Sequence, residues 1–329
     1  MLKSFADVLA AVKGLPPRRV AVAAAQDDAV LEAVRGAKEQ GIADFILIGD
    51  QDKIERTAAK IGVSLDGLTI VHEADDRQAA YRAVAMVSGG EADVLMKGLI
   101  NTADLLRAVL DKEVGLRTGR VLSHAAVFEV PGFDRLLIVT DGGMNIAPTL
   151  AQKADIIQNS VGLAKVLGIS PAKVAALAAV EVVNPDMPAT LDAAALAKMA
   201  DRGQIKGAVV DGPLALDNAI NLEAARHKGI ASPVAGLADI LLVPNIEVGN
   251  ALGKSLIYFA RGRMAGLILG AAKPVIVTSR ADTHEGKIMS IALGALLGPK
   301  RKLFKIKKGT CPGKANCKKC WPDHLSIRL

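Results

Sequence analysis

KPVIVTSRADTHEGK, residues 273–287, joins a strand pattern to a helix pattern. Pro274 leads a β-branched run, Val275-Ile276-Val277-Thr278, the composition of a short buried strand. The chain breaks at Ser279-Arg280-Ala281-Asp282 and resumes from Thr283 as an apolar-periodic helix through Ile288, Ile291 and Leu296. Strand, polar turn and helix together are the repeating unit of α/β sheets. A strand that ends in a hydroxyl and a guanidinium, just ahead of a helix start, also suits an anion. The Arg offers forked donors, and the helix start offers unpaired N–H groups at the positive end of its dipole. The same residues would equally make a surface turn with a solvated Arg.

The alternation continues through the rest of the chain. A helix beginning at Ser4 carries Phe5, Val8, Leu9 and Val12 on one face and stops at Gly14 and Pro16-Pro17. Strand-like runs at 19–25, 45–48, 68–71 and 94–96 are separated by helical stretches: one capped by Asp27 and reaching Ala37, then 54–61 and 75–87. This spacing predicts an open parallel sheet covered on both faces. Near Val121 the pattern changes. Runs at 121–130 and 135–140 flank Pro131-Gly132-Phe133-Asp134 and read as an antiparallel hairpin. A helix at 148–167 restarts the alternation, with strands at 174–180, 208–210, 240–243, 267–269 and 275–278 and helices at 191–199, 216–226 and 247–259. A change of domain is expected near the hairpin.

Composition narrows the function classes. At 329 residues, 51% apolar and 3% aromatic, the chain has room for two domains of helices packed on strands. No apolar run reaches the roughly 20 residues of a membrane span, and residues 1–7 lack the apolar core of a signal peptide, so the cytoplasm is expected. The net charge of +7 resides in the tail: residues 299–329 carry ten Lys or Arg against one acid, and the first 298 residues are close to neutral. All three cysteines, Cys311, Cys317 and Cys320, lie in that tail, which rules out disulfides, Cys-ligated metals and a Cys nucleophile in the body. The body also lacks a Gly-x-Gly-x-x-Gly loop, a Walker loop and a Gly-x-Ser-x-Gly elbow; Gly253-Lys254-Ser255 lacks the preceding Gly and falls mid-helix. The histidines of the body, His72, His124, His227 and His284, have no metal-ligand spacing.

What remains is a site assembled from loops at strand ends, where ligands sit in open α/β sheets. Small or polar residues follow or precede strand runs at Lys97-Gly98, Ser123-His124, Asp141 to Asn145, Glu181 to Asn184, Asp211-Gly212-Pro213, Pro244 to Glu247 and Ser279-Arg280. Any one of these alone is ordinary turn chemistry.

Five longer strings carry a resemblance: MKGLINTADLLRAVLDKEVGLRTGR (96–120), LSHAAVFEV (122–130), AVEVVNPDMPATLDAAALAKMADRGQIKGAVVDGPLALD (179–217), VPNIEVGNALGKSL (243–256) and KPVIVTSRADTHE (273–285). Over residues 1–298 the chain resembles the phosphate acetyl/butyryl transferase family, its butyryltransferase branch above all. The resemblance implies reversible transfer of a short acyl group between coenzyme A and phosphate, with acyl-CoA and phosphate as substrates, no permanently bound cofactor and no metal at the reacting centre. It implies the α/β fold of isocitrate and isopropylmalate dehydrogenases: two open-sheet domains, 1–140 plus 270–298 and 141–269, with a cleft between them and a dimer contact on the second, in a homodimer or higher homo-oligomer. A phosphate acetyltransferase and a non-catalytic acyl-CoA binder are the alternatives.

By the same resemblance Ser279 and Arg280 fall on the family's active-site Ser-Arg pair. The family's acetyltransferases carry an Asp six residues after that Arg as the proposed base; here Gly286 occupies the position. Glu285 is then the first candidate to take the thiol proton and Asp282 the second, although acids in the first turn of a helix also serve as caps. Asn245, Glu247 and Asn250 belong to a motif at the cleft, or cap the helix that follows. Lys97 is a candidate phosphate contact or a solvated strand end. Ser123, His124, Asp141 and Asn145 are expected along the cleft floor, with a buried core histidine as the other reading of His124.

The tail matches nothing in the family. Cys311, Cys317, Cys320 and His324 could supply a Cys3His zinc site, and its bases could meet nucleic acid. With Pro312, Gly313 and Pro322 among them, the sequence reads instead as an unstructured extension, and no nucleic-acid partner is expected.

Overall fold

The computed structural model describes residues 1–278 and 283–298. Ser279, Arg280, Asp282 and the tail 299–329 lie outside the described residues.

The first run of elements is α1 (Phe5–Lys13), β1 (Arg18–Ala23), α2 (Asp28–Glu39), β2 (Ala43–Gly49), α3 (Gln51–Ile61), β3 (Thr69–His72), α4 (Asp76–Ser88), β4 (Val94–Lys97) and α5 (Thr102–Val109). α1 starts at Ser4 as expected: the Ser4 hydroxyl accepts the Asp7 N–H while the Asp7 carboxylate accepts the Ser4 N–H. Asp27, Asp50 and Asp75 cap the next three helices by accepting the N–H groups of Val30, Lys53 and Gln78 at their side chains. The hairpin follows as β5 (Ser123–Glu129) and β6 (Leu137–Thr140), then α6 (Leu150–Val166), β7 (Ala172–Leu177), α7 (Pro188–Asp201) and β8 (Ala208–Leu214). The helix expected at 216–226 is two short ones, α8 (Leu216–Ile220) and α9 (Leu222–His227). Asn221 breaks it, because its own backbone turns extended and its side chain accepts the Ala224 N–H to start α9. β9 (Ile240–Leu242), α10 (Ile246–Tyr258), β10 (Arg263–Leu269), β11 (Val275–Ile276) and α11 (His284–Leu297) complete the body.

The strands form one sheet in the order β3-β2-β1-β4-β11-β10-β5-β6-β9-β7-β8. β1 to β4 and β11 are parallel to one another, as are β6, β9, β7 and β8. Between these blocks, β10 pairs antiparallel with both β11 and β5, and β5 pairs antiparallel with β6. The parallel pairing expected for the first strands and the antiparallel hairpin expected near Val121 are both present, and β10 adds the antiparallel pairings that join the two open sheets into one mixed sheet. The hairpin reverses the strand direction, so the two parallel blocks run in opposite senses. The described residues through Gly298 form one compact unit.

The core follows the sheet. On one face a single apolar layer spans both blocks, from Val22 and Leu47 through Val127 and Ile138 to Val174, with α1, α2, α6 and α11 packed on it. On the other face the core is divided. One part lies around Ile48, Leu95 and Leu105 under α4 and α5, and the other around Phe128, Val139 and Leu241 under α8, α9 and α10. The candidate site occupies the gap between them.

Candidate active site

Along β5, side chains alternate between the two faces of the sheet. Ser123, Ala125 and Val127 face the continuous core; His124, Ala126 and Phe128 face the divided side. Pairing places Met264 of β10 opposite Phe128, and Gly266 opposite Ala126. Val139 of β6 is likewise opposite Ala126. These residues make the floor of a cavity of about 440 Å³. Its roof is one face of α10, on which Gly249, Asn250, Gly253, Lys254, Ile257 and Tyr258 recur at helical spacing.

α10 reaches the sheet through a backbone contact that excludes side chains. A Cβ on Gly249 would stand 2.6 Å from Gly142 Cα, so the first turn of the helix lies directly against the 141–145 loop. A second small residue, Gly143, makes room for the His124 ring: a Cβ there would meet it at 3.2 Å. On its other side the ring leans over Gly266, where a Cβ would come within 2.9 Å of Nε2.

At the far end of the cavity the walls are charged. Arg263 Nη2 bonds Glu129 at 2.8 Å, Nη1 bonds Glu285, and the guanidinium lies 5.9 Å over the Phe5 ring. The Glu129 hydrogen bond pushes the already high pKa of the Arg263 guanidinium upward, against the lowering effect of partial burial, and Glu285 adds to the rise. Glu129 also accepts the Phe5 N–H at 2.8 Å, which ties the start of α1 to the same cluster. α11 begins there: the Thr283 hydroxyl accepts the Gly286 N–H at 3.0 Å, and Thr283, Glu285 and Gly286 line the cavity. The cavity lining is thus mixed: Asn250, Lys254, Arg263, Thr283 and Glu285 are polar, and Ala126, Phe128, Val139, Ile257 and Met264 are apolar.

Of the residues singled out in the sequence, the structure brings together His124, Asn250 and Glu285. Ser123 is on the opposite face, where its fully buried hydroxyl accepts from Asn159 Nδ2 at 3.0 Å. The Asp141 carboxylate is occupied by its own loop, accepting the N–H groups of Gly143, Met144 and Asn145 at 2.9, 2.8 and 3.3 Å and Asn145 Nδ2 at 2.6 Å. Asn145 Nδ2 also donates to the Leu122 carbonyl at 2.9 Å. Both residues shape the loop against which α10 packs. Asn245 caps α10 by accepting the Val248 N–H at 3.0 Å, and Glu247 stands exposed in the first turn. Lys97 ends β4 outside the cavity lining, with Nζ donating to the Gly98 carbonyl at 3.2 Å.

Lys254, Tyr258 and Arg263 line the cavity without having been singled out in the sequence. Lys254 sits four residues after Asn250, so extending the helical face from that Asn would have found it; dismissing a Walker loop hid it. No comparable pattern marked Arg263, which reaches the site through a pairing between distant strands.

A second cavity, of about 860 Å³, lies at the ends of β7 and β9. Asn245, Met187, Leu216 and Val248 line it, together with the ion pair of the buried Lys153 with Asp192 at 2.6 Å. Among the described residues, no group of three or more His, Cys, Asp or Glu could hold a metal, and no helix is long and apolar enough to cross a membrane.

Comparison with known proteins places these features in a wider set. The phosphate acetyl/butaryl transferase family matches residues 4–79 and 73–295. A phosphate butyryltransferase of Clostridium acetobutylicum is 56% identical over 297 residues, covering 90% of this chain and 99% of that one. A phosphate acetyltransferase of Thermotoga maritima is 48% identical over 279 residues, covering 85% and 95%. The crystal structure of a branched-chain phosphotransacylase from Enterococcus faecalis V583 superposes with a TM-score of 0.76 at 35% identity, covering 85% of this chain and 98% of that one.

Proposed function

Because the chain belongs to the phosphate acetyl/butaryl transferase family, we propose that it transfers a short acyl group, butyryl by preference, between coenzyme A and inorganic phosphate. The observation that carries the reading is the mixed lining of the cavity: Lys254, Arg263 and Thr283 suit polyanionic substrates, and Phe128, Val139, Ile257 and Met264 suit an alkyl chain. When acyl phosphate is the substrate, the thiolate sulfur of coenzyme A attacks the acyl carbon. The bond from that carbon to the phosphate oxygen breaks, and phosphate leaves with its electron pair. In the opposite direction phosphate oxygen attacks and the thiolate leaves. The body has no Cys to carry an acyl group, which favours direct transfer with both substrates bound.

Negative charge grows on the acyl oxygen and on the departing phosphate. Ser279 and Arg280, assigned by sequence resemblance, are proposed to donate hydrogen bonds there, between the described residues Thr278 and Thr283; Lys254 and Asn250 add donors on the α10 side. Loss of one such donor typically raises the barrier by about 3–4 kcal/mol. A thiol with an ordinary pKa of about 8.5 needs a base. Glu285 first, and Asp282 second, stay the proposed base. Glu285 already shares one oxygen with Arg263, so bracing Arg263 is its competing role. We keep the division into 1–140 plus 270–298 and 141–269, and the cytoplasmic setting, as parts of the same proposal. So too is a homodimer, whose contact we place on the exposed apolar side chains Ile146, Val182, Val183 and Val248; sedimentation as a monomer at micromolar concentration would remove it.

The test is thiol release from acetyl-, propionyl- and butyryl-CoA with and without phosphate. Phosphate-dependent release, fastest with butyryl-CoA and lost in Arg280→Ala, is expected. Release that ignores phosphate, together with retained affinity for acyl-CoA, would mark a non-catalytic binder, and faster turnover of acetyl-CoA would mark an acetyltransferase.

A further inference from the structure

Glycine weakens the interior of a strand, and there it often marks the close approach of another group. Gly266, in the middle of β10, is such a case, and the group is the His124 imidazole. A Cβ at 266 would stand 2.9 Å from Nε2, against 3.8 Å from Cε1 and 3.9 Å from Cδ2, so the ring points its Nε2 tip over this residue. Gly266 pairs with Ala126, which shares a face of β5 with His124, so Nε2 lies on the cavity floor. The other side of the ring is set by Gly143, where a Cβ would meet Cγ at 3.2 Å and the buried Nδ1 at 3.3 Å. Two backbone positions thus give up a side chain to hold one imidazole in one orientation. On this floor Ala126, Phe128, Val139, Met264 and Gly266 offer no side-chain hydrogen-bond donor, and His124 does. Val277 lines the same cavity and stands two residues before Ser279 in the chain.

We infer that His124 is a catalytic residue: its Nε2–H donates a hydrogen bond to the acyl oxygen as negative charge grows there. The inference rests on the transferase reading and adds a donor to it. As the nucleophile bonds to the acyl carbon, the carbonyl π pair moves onto oxygen and is held by Nε2–H. When the carbonyl re-forms, the leaving group departs with its electron pair. The proton stays on the imidazole throughout, so His124 is not the base. The acyl oxygen is the acceptor, rather than phosphate, because the floor around Nε2 is apolar and brings no cation. A donor fixed in place beforehand needs no reorganisation as the charge develops, and the two glycines fix this one.

The experiment measures kcat and KM for butyryl-CoA and phosphate in the full chain and in His124→Ala, His124→Asn and His124→Gln, alongside thermal melts. His124→Ala is expected to lose about 10²–10³-fold in kcat, with both KM values little changed. The glutamine amide nitrogen reaches the place of Nε2, so His124→Gln is expected to recover much of that loss. The shorter asparagine is expected not to. Unchanged kcat in a folded His124→Ala overturns the inference, and so does a loss confined to KM, which would mark ground-state binding alone. A folded His124→Gln no faster than a folded His124→Ala also overturns it, because a packing role or proton transfer would then be at work. If His124→Ala misfolds, glutamine against asparagine decides. Absence of phosphate-dependent thiol release in the unsubstituted protein is a separate result, which defeats the transferase reading and this inference with it.

Discussion

Asp141 gives both oxygens to the loop that follows it, and its carboxylate is almost fully buried. Removing it strands three backbone N–H groups and an amide in a region sealed by α10. Asp141→Ala is therefore expected to lower stability by about 3 kcal/mol, read by urea unfolding, and to weaken catalysis only through the displaced helix. A variant that unfolds at the same urea concentration but has lost turnover would instead make Asp141 a substrate ligand. At this scale the sequence was informative about residue type and poor about direction. Asp141, Asn145, Asn245 and Ser123 are all polar residues beside strands, as read. Whether such a side chain turns into its own loop, caps a helix or enters a cavity depends on neighbours far along the chain. Ser123 and His124 show the point: one position apart in β5, they face opposite sides of the sheet.

α10 is the element on which the candidate site depends most directly. Its cavity face repeats at 249, 250, 253, 254 and 257, and its approach is fixed by the Gly142–Gly249 contact. Gly249→Ala would force two backbones apart and is expected to cost about 1–3 kcal/mol, with a fall in turnover toward every acyl-CoA. A Cβ on Gly253, one turn on, would meet only Phe128 Cζ at 3.4 Å, so Gly253→Ala is expected to melt higher instead, and thermal melts of the two variants side by side check both glycines. Elements with local signals were the legible ones. The Ser4–Asp7 box, the three aspartate caps and the hairpin around Gly132 are all written within a few residues. β10 was partly legible as a strand but not in its pairing, because its partner β5 lies some 130 residues earlier and its antiparallel sense has no local mark.

Over the whole molecule, the compact unit takes in the described residues through Gly298, and the family model's match ends at residue 295. A chain stopped after Gly298 is therefore expected to keep the melting temperature and phosphate-dependent thiol release of the full chain. Equal zinc content in both would count against Cys311, Cys317, Cys320 and His324 as ligands, whereas zinc lost with the tail would support them. The order of the strands has a further consequence, one of timing. β11 stands between β4 and β10 at the middle of the sheet, yet it is among the last parts of the body to be synthesised. Until Val275 and Ile276 have left the ribosome, β4 presents an unpaired edge and the apolar layer beneath it lacks α11. The nascent body cannot close progressively from its N-terminus. It closes from the centre, late, by long-range pairing of the slow kind, and until then it exposes a strand edge open to association with other chains.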